Sequence, residues 1–312
     1  MGPLLPLVFA LATAGAPSPE PIEVSHAERL VVVAPHPDDE TLGAGGLMQR
    51  VLATGGSVRV VLVTAGDGYV EAVVHETGQP RPAPAEYVAY GERRLAEVRE
   101  ALRVLGRGRI RLQLLGFPDG GLEGLLRAHW QRTHAEHSPT TGASDPPYTQ
   151  ALDLNVAYDG ADLRRELSRL LTEARPTIVV LPDPLDRHPD HHASGVLSLL
   201  ALDDATSGAH APVPLPRLLS YLVHRPNWPP GWDAPAAAPE RSADVLTLPP
   251  DLAPDSPRAT FELTDAEIAA KRAALARYAT QQEVVPTFLA AFVRRTEPFR
   301  VLSRRDIGRV VK

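Results

Sequence analysis

Five short, mostly apolar runs recur along the chain: 30–34 (LVVVA), 57–64 (SVRVVLVT), 111–115 (RLQLL), 177–181 (TIVVL) and 218–223 (LLSYLV). Runs of this kind read as strands buried on both faces, as in a parallel sheet. Between them lie stretches with helical apolar spacing: 42–52, then 86–105 with Leu95, Val98, Leu102 and Leu105 in line and Gly106 as its stop, then 159–174 and 196–202. Alternation of this sort predicts βαβ units with right-handed crossovers, hence an α/β fold with a mostly parallel sheet. Past the fifth run, 259–263 suits an edge strand. Thr264–Glu267 reads as a capping box opening a helix through Gln281.

Three stretches break the alternation. Residues 69–85 are rich in Pro, Gly and Glu and read as a loop. Residues 123–155 are polar and irregular, with His129, His134 and His137, and are expected to form a substrate-facing insertion, the histidines solvated. Residues 226–250 are Pro- and Ala-rich with Trp228 and Trp232, and are expected to pack over the sheet. These are loops and elaborations of one domain spanning 28–312, with no internal repeat.

Composition narrows the class. The 312 residues carry a formal charge of -6, so there is no basic footprint for nucleic acid. The 32 prolines cluster in the loops just named, and the absence of cysteine removes disulfides and thiolate metal sites. Residues 1–16 resemble a secretory leader, with an apolar stretch at 4–12 and small residues suiting cleavage after Ala14 or Ala16, although no Lys or Arg precedes the stretch. That predicts export to the periplasm or exterior. Without a working leader the protein would stay in the cytoplasm. The apolar stretch is too short to span a bilayer.

The chemistry gathers directly after two of the strands. The first run leads into Pro35–Glu40, which packs His36, Asp38, Asp39 and Glu40 into five positions, and the fourth leads into PDPLDRHPDHH at 182–192. Ligand crevices of open α/β sheets lie at the carboxyl ends of the strands, so both knots face one crevice. Adjacent carboxylates beside a core strand need a cation or a proton to offset them. Two imidazoles and one carboxylate, His36, Asp39 and His191, form the trio that divalent metals take in open catalytic sites. Zn²⁺ in such a site lowers the pKa of a bound water to about 7. Asp38 is then the candidate general base, and His188 the candidate acid and oxyanion stabiliser. Asp190 is placed to hold His188 or a ligand imidazole in its tautomer. His192 reads as a bystander or support, and Arg94 with Glu97 as an ion pair on one helix.

PHPDDE followed far downstream by HPDHH is similar to the PIG-L/LmbE-like family of zinc-dependent N-acetylglucosaminyl de-N-acetylases. Further segments of that kind are 94–106 (RLAEVREALRVLG), 115–122 (LGFPDGGL), the helix carrying Lys271 and Gln281, and 297–300 (EPFR). The resemblance implies a Rossmann-like α/β fold with helices on both faces and a C-terminal elaboration. It implies Zn²⁺, or else Fe²⁺, on His36, Asp39 and His191, with Asp38 as base and His188 as electrophile. Arg94 and Asp119 would lie near the sugar. The expected substrate is an N-acetylated amino sugar or its conjugate. The insertion and the Pro/Trp segment are additions to the compact pattern, placed where substrate choice would be made.

Three other readings compete. One is an amide hydrolase acting on a non-sugar, and another a carbohydrate-binding relative without activity. The third takes His36, Asp38 and His191 as the H-x-D…H trio of an iron oxygenase. That last trio needs a mainly antiparallel scaffold, and these elements predict a parallel one.

Overall fold

The computed structural model describes residues 18–207, 213–233 and 241–311. The expected leader and part of the Pro-rich segment lie outside them. Strands run as β1 (Glu20–Pro21), β2 (Arg29–Ala34), β3 (Ser57–Thr64), β4 (Ile110–Phe117), β5 (Ile178–Pro182), β6 (Arg217–Tyr221), β7 (Arg258–Glu262) and β8 (Thr296–Leu302). Helices are α1 (Asp39–Ala53), α2 (Val70–Thr77), α3 (Pro84–Gly106), α4 (Leu122–Arg127), α5 (Gly160–Ala174), α6 (Pro189–Thr206), α7 (Asp265–Leu275), α8 (Ala279–Val284), α9 (Pro286–Ala291) and α10 (Arg304–Val311).

One sheet has the order β1-β7-β8-β6-β5-β2-β3-β4. From β6 to β4 every pairing is parallel, and only β8 runs antiparallel, between β6 and β7. This is the expected Rossmann-like arrangement. The apolar run of β2 shows why its sequence does not alternate. Leu30, Val32 and Ala34 enter a core with α1 and α3, while Val31 and Val33 enter a second core with α5 and α6. Both faces are covered, so both need apolar side chains.

Topology then fixes the crevice. From β2 the chain builds outward through β3 and β4, then returns to lay β5 on the other side of β2. The strand order reverses between β2 and β5, and a groove opens there at the carboxyl ends.

Several expectations are corrected. The stretch 69–85 contains α2 rather than only loop, with Ala72 and Val73 packed on Tyr87 and Tyr90 of α3. The helix from Thr264 keeps its capping box but stops at Leu275 instead of Gln281. The turn before α8 buries Tyr278, whose hydroxyl meets Glu40 and Thr41. Helix α6 starts at Pro189, not near 196, so His191 sits in its first turn. The fifth run stops pairing at Tyr221, and 296–302 forms a strand that apolar spacing did not suggest. Among the described residues, strand β7 is flanked outside only by the two residues of β1. Among the described residues no helix is long and apolar enough to cross a membrane.

The insertion is the largest correction. No residue of 123–155 lines the cleft at the crevice. It packs instead along β4, the outer strand: Leu152 N–H donates to Leu114 O and Trp130 joins the second core, and Tyr158, just past the insertion, donates its hydroxyl to Gly116 O. An outer strand needs its edge and faces covered, and this segment covers them. His129, bonded to Glu136, and the exposed His134 remain on its surface, away from the cleft.

Candidate active site

The loop after β2 turns into α1 through Asp38, whose φ of 120° is a left-handed value that a non-glycine residue adopts at a cost. The two prolines around His36 end the strand, and Asp39 and Glu40 then fill the first turn of α1, where the helix dipole favours carboxylates. After β5, His188 N-caps α6 and presents Asp190 and His191 from its first turn.

These two helix starts bring His36, Asp39 and His191 together, with one ligand atom from each lying within 4.8 Å of the others. Asp39 Oδ2 stands 3.2 Å from His36 Nδ1 and 3.2 Å from His191 Nε2. All three residues are buried. Neither ring nitrogen of His191 makes a well-directed hydrogen bond. A fully buried imidazole without such a partner, beside a second imidazole and a carboxylate, fits a divalent cation of the Zn²⁺ or Fe²⁺ kind.

Carboxylates behind the trio hold its rings. His36 Nε2 faces Asp119 Oδ1 at 3.1 Å and Asp190 Oδ2 at 3.4 Å, and His191 Nδ1 faces Asp186 Oδ2 at 3.5 Å. The Asp190 carboxylate therefore supports the His36 ring, while its backbone N–H meets His188. It is itself fixed by N–H bonds from Gly120 and Leu122. Asp119 lines the cleft but spends its oxygens on His36 and on the Gly68 N–H.

Asp38 lies at the cleft with Arg94 Nη2 3.2 Å from its Oδ2. Arg94 comes from α3 and also donates to Pro37 O and Gly66 O. Gly66 has φ of +70°, and any side chain there would overlap the guanidinium. The expected Arg94–Glu97 pair is replaced: Arg94 takes Asp38, and Glu97 accepts bonds from Thr280. Burial pushes the Asp38 carboxyl up to about 8, against the pull of Arg94. The His188 ring lies 4.9 Å from that of His36 and 5.2 Å from that of His191. Burial, and then the neighbouring imidazoles, hold His188 neutral, well below the ordinary histidine range. Its Nδ1 accepts the Asp190 N–H at 3.2 Å, so the proton of the neutral ring sits on Nε2 as a donor. His192 turns outward, bonded to Pro184 O.

Besides Asp186, two further residues that sequence reasoning missed belong here. His224, just beyond β6, packs 4.7 Å from the His191 ring and 4.9 Å from the His188 ring. Its position after a strand on the crevice edge was the available signal. Asp67, after β3, accepts a bond from the Tyr148 hydroxyl of the insertion. Burial and then the charge on Asp119 raise its carboxyl to about 7. The folded state thus keeps a proton that the unfolded chain releases near its ordinary value of 3.8. Stability should fall as pH rises from about 4 to 7 through this group. Melting curves of Asp67→Asn should lack that portion of the fall, and parallel pH profiles for the two proteins would refute it.

Comparisons with known proteins add a separate line of observation. A family model described as PIG-L, GlcNAc-PI de-N-acetylase, matches residues 31–202. The 1D-myo-inositol 2-acetamido-2-deoxy-α-D-glucopyranoside deacetylase of Rhodococcus jostii is 30% identical over 278 residues, 83% of either chain. The diacetylchitobiose deacetylase of Thermococcus kodakarensis is 24% identical over 219 residues, 64% of this chain and 62% of that one. Among solved structures, the conserved protein TT1542 from Thermus thermophilus is similar with a TM-score of 0.52 and 25% identity, over 88% of this chain and 95% of that one.

Proposed function

Because this chain belongs to the PIG-L family of de-N-acetylases, we propose that it is a metal-dependent hydrolase removing acetyl from an N-acetylated amino sugar or its conjugate. The observation that carries the reading is the convergence of His36, Asp39 and His191 beside Asp38 in one cleft. The two curated relatives described above act, by their names, on acetylated glucosamine conjugates.

A divalent ion on the trio supplies Lewis acidity and a water of lowered pKa. Asp38, whose raised carboxyl a cation on the adjacent trio would draw back into its ionised form, takes the proton of the attacking water, with Arg94 fixing the carboxylate's position. His188, neutral with its proton on Nε2, donates a hydrogen bond to the oxyanion that forms from the amide carbonyl. Since His188 holds no spare proton at neutral pH, Asp38 returns its proton to the leaving amine. Asp119, Asp186 and Asp190 keep the ligand rings oriented.

Acetate release from a panel of N-acetylated amino sugars, with metal-loaded and chelated protein in parallel, tests the reading. Release that chelation abolishes is expected. No release from any sugar by protein holding stoichiometric metal would refute it.

Metal binding should also displace protons. Burial lowers the pKa of His191, but Asp39 and Asp186 outweigh it and raise the ring to about 9; carboxylates likewise raise His36. Ligand imidazoles must be neutral, so binding at pH 7 releases about two protons from the rings and a further share from Asp38, with the ring contribution falling as pH passes 9. Calorimetry in buffers of differing ionisation enthalpy reads the number, and a value near zero at pH 7 would contradict the site.

A further inference from the structure

The peptide that joins Pro37 to Asp38 is gripped at both ends. Its carbonyl accepts Arg94 Nη2 at 2.7 Å, and its N–H donates to Glu40 Oε2 at 3.1 Å. The neighbouring backbone is fixed as well: the His36 N–H donates to Asp39 Oδ2 at 2.9 Å, and Asp38 O accepts the Thr41 and Leu42 N–H groups, each at 2.9 Å. Between these anchors Asp38 holds φ 120° and ψ -31°. Turning the Pro37–Asp38 peptide over would carry φ to about -60°, which with that ψ is ordinary helical backbone. A relaxed conformation is therefore one peptide flip away, and the chain does not take it. Strained backbone persists only where its surroundings over-determine it. After a flip, Pro37 O would face the Glu40 carboxylate and the Asp38 N–H would face the Arg94 guanidinium. These two side chains together select the strained form.

Glu40 is the half of this grip that the mechanism above leaves unused. It is buried, and so is Tyr278, from the turn between α7 and α8. Glu40 Oε1 accepts the Tyr278 hydroxyl and, at 2.6 Å, the Thr41 hydroxyl. A carboxylate only accepts, and these two hydroxyls with the Asp38 N–H use both of its oxygens. Neither Glu40 nor Tyr278 lines the cleft, so any effect on the reaction passes through Asp38.

We infer that Glu40 and Tyr278 are positioning residues for the general base. Tyr278 orients Glu40, and Glu40 holds the Pro37–Asp38 peptide in its strained orientation. That orientation keeps Pro37 O as an anchor for Arg94, and Arg94 in turn fixes the Asp38 carboxylate. The inference rests on the hydrolase reading above and extends its base by two residues, one of them from the C-terminal elaboration.

The test measures kcat, KM and metal content in Glu40→Ala, Glu40→Gln and Tyr278→Phe, each alone and combined with Asp38→Asn. Glu40→Ala should lose about 10²-fold in kcat, the cost of misplacing a reacting group by about 1 Å, with KM and metal retained. Tyr278→Phe should lose a smaller factor, since Thr41 still holds Oε1. Glu40→Gln should recover most of the rate, because its amide oxygen can accept the Asp38 N–H while its NH₂ donates to the hydroxyls. With Asp38→Asn in place, the other changes should cost little more, for no base remains to be positioned. Should Glu40→Ala not fold, Tyr278→Phe carries the same comparison. Wild-type kcat in Glu40→Ala or in Tyr278→Phe would overturn the inference. So would equal losses with and without Asp38→Asn, a Gln variant as impaired as the Ala variant, or metal lost from Glu40→Ala. If wild type cleaves no acetylated sugar, the hydrolase reading fails separately, and a crystal structure of Glu40→Ala decides the grip. Asp38 relaxed to negative φ upholds it, and an unchanged positive φ overturns it.

Discussion

Asp38→Asn should lower acetate release by about 10²–10⁴-fold, the usual worth of a positioned general base. The substitution keeps the size of the side chain and an oxygen for Arg94, which stays anchored on Pro37 O and Gly66 O. Metal content and melting temperature should therefore hold. The trio of His36, Asp39 and His191 does not include Asp38, so a loss of activity with retained metal isolates proton transfer from ligand binding. Near-wild-type turnover in Asp38→Asn would remove the base assignment. Loss of metal together with activity would make Asp38 a ligand instead.

Lys271→Met should destabilise the fold by about 3–5 kcal/mol, the cost of stranding one member of a buried ion pair. Lys271 Nζ lies 2.7 Å from Glu297 Oε1 with both side chains buried, and it also donates to Leu42 O. Glu297 in turn accepts the Gly46 and Leu47 N–H groups of α1. Removing Lys271 leaves a carboxylate without its cation in the core between α1, α7 and β8. Denaturant titration of Lys271→Met, Glu297→Gln and the double variant should show a double loss smaller than the sum of the singles. Strict additivity, or a loss under 1 kcal/mol in Lys271→Met, would show that the pair is not coupled as described.

That pair also shows where the sequence stopped being informative. Strand β2 was readable because Leu30 to Ala34 all face apolar cores, and the two metal-site knots because their ligands crowd into a few positions after such strands. Strand β8 was not. Its sequence, TEPFRVL, carries Glu297 and Arg300, which are buried only because Lys271 and Asp183 meet them from distant elements. No periodicity announces a charge whose partner is remote in sequence. His224 and Asp186 were missed for the same reason, since each acts through what the fold places beside it. The histidine-rich insertion misled in the opposite sense. Its polar composition suggested contact with substrate, whereas Leu152 joins it to β4 and Tyr148 joins it to Asp67.

The parallel pairing of β2 with β5, Leu30 against Ile178 and Val32 against Val180, has one more consequence. His36 follows one of these strands and His191 the other, and no covalent link nearer than the intervening chain sets their separation. A slip of one residue would displace the two knots by about 3.3 Å and turn each valine of β2 toward the wrong core. The hydrocarbon packing on both sides of the sheet thereby gauges the spacing of the ligands.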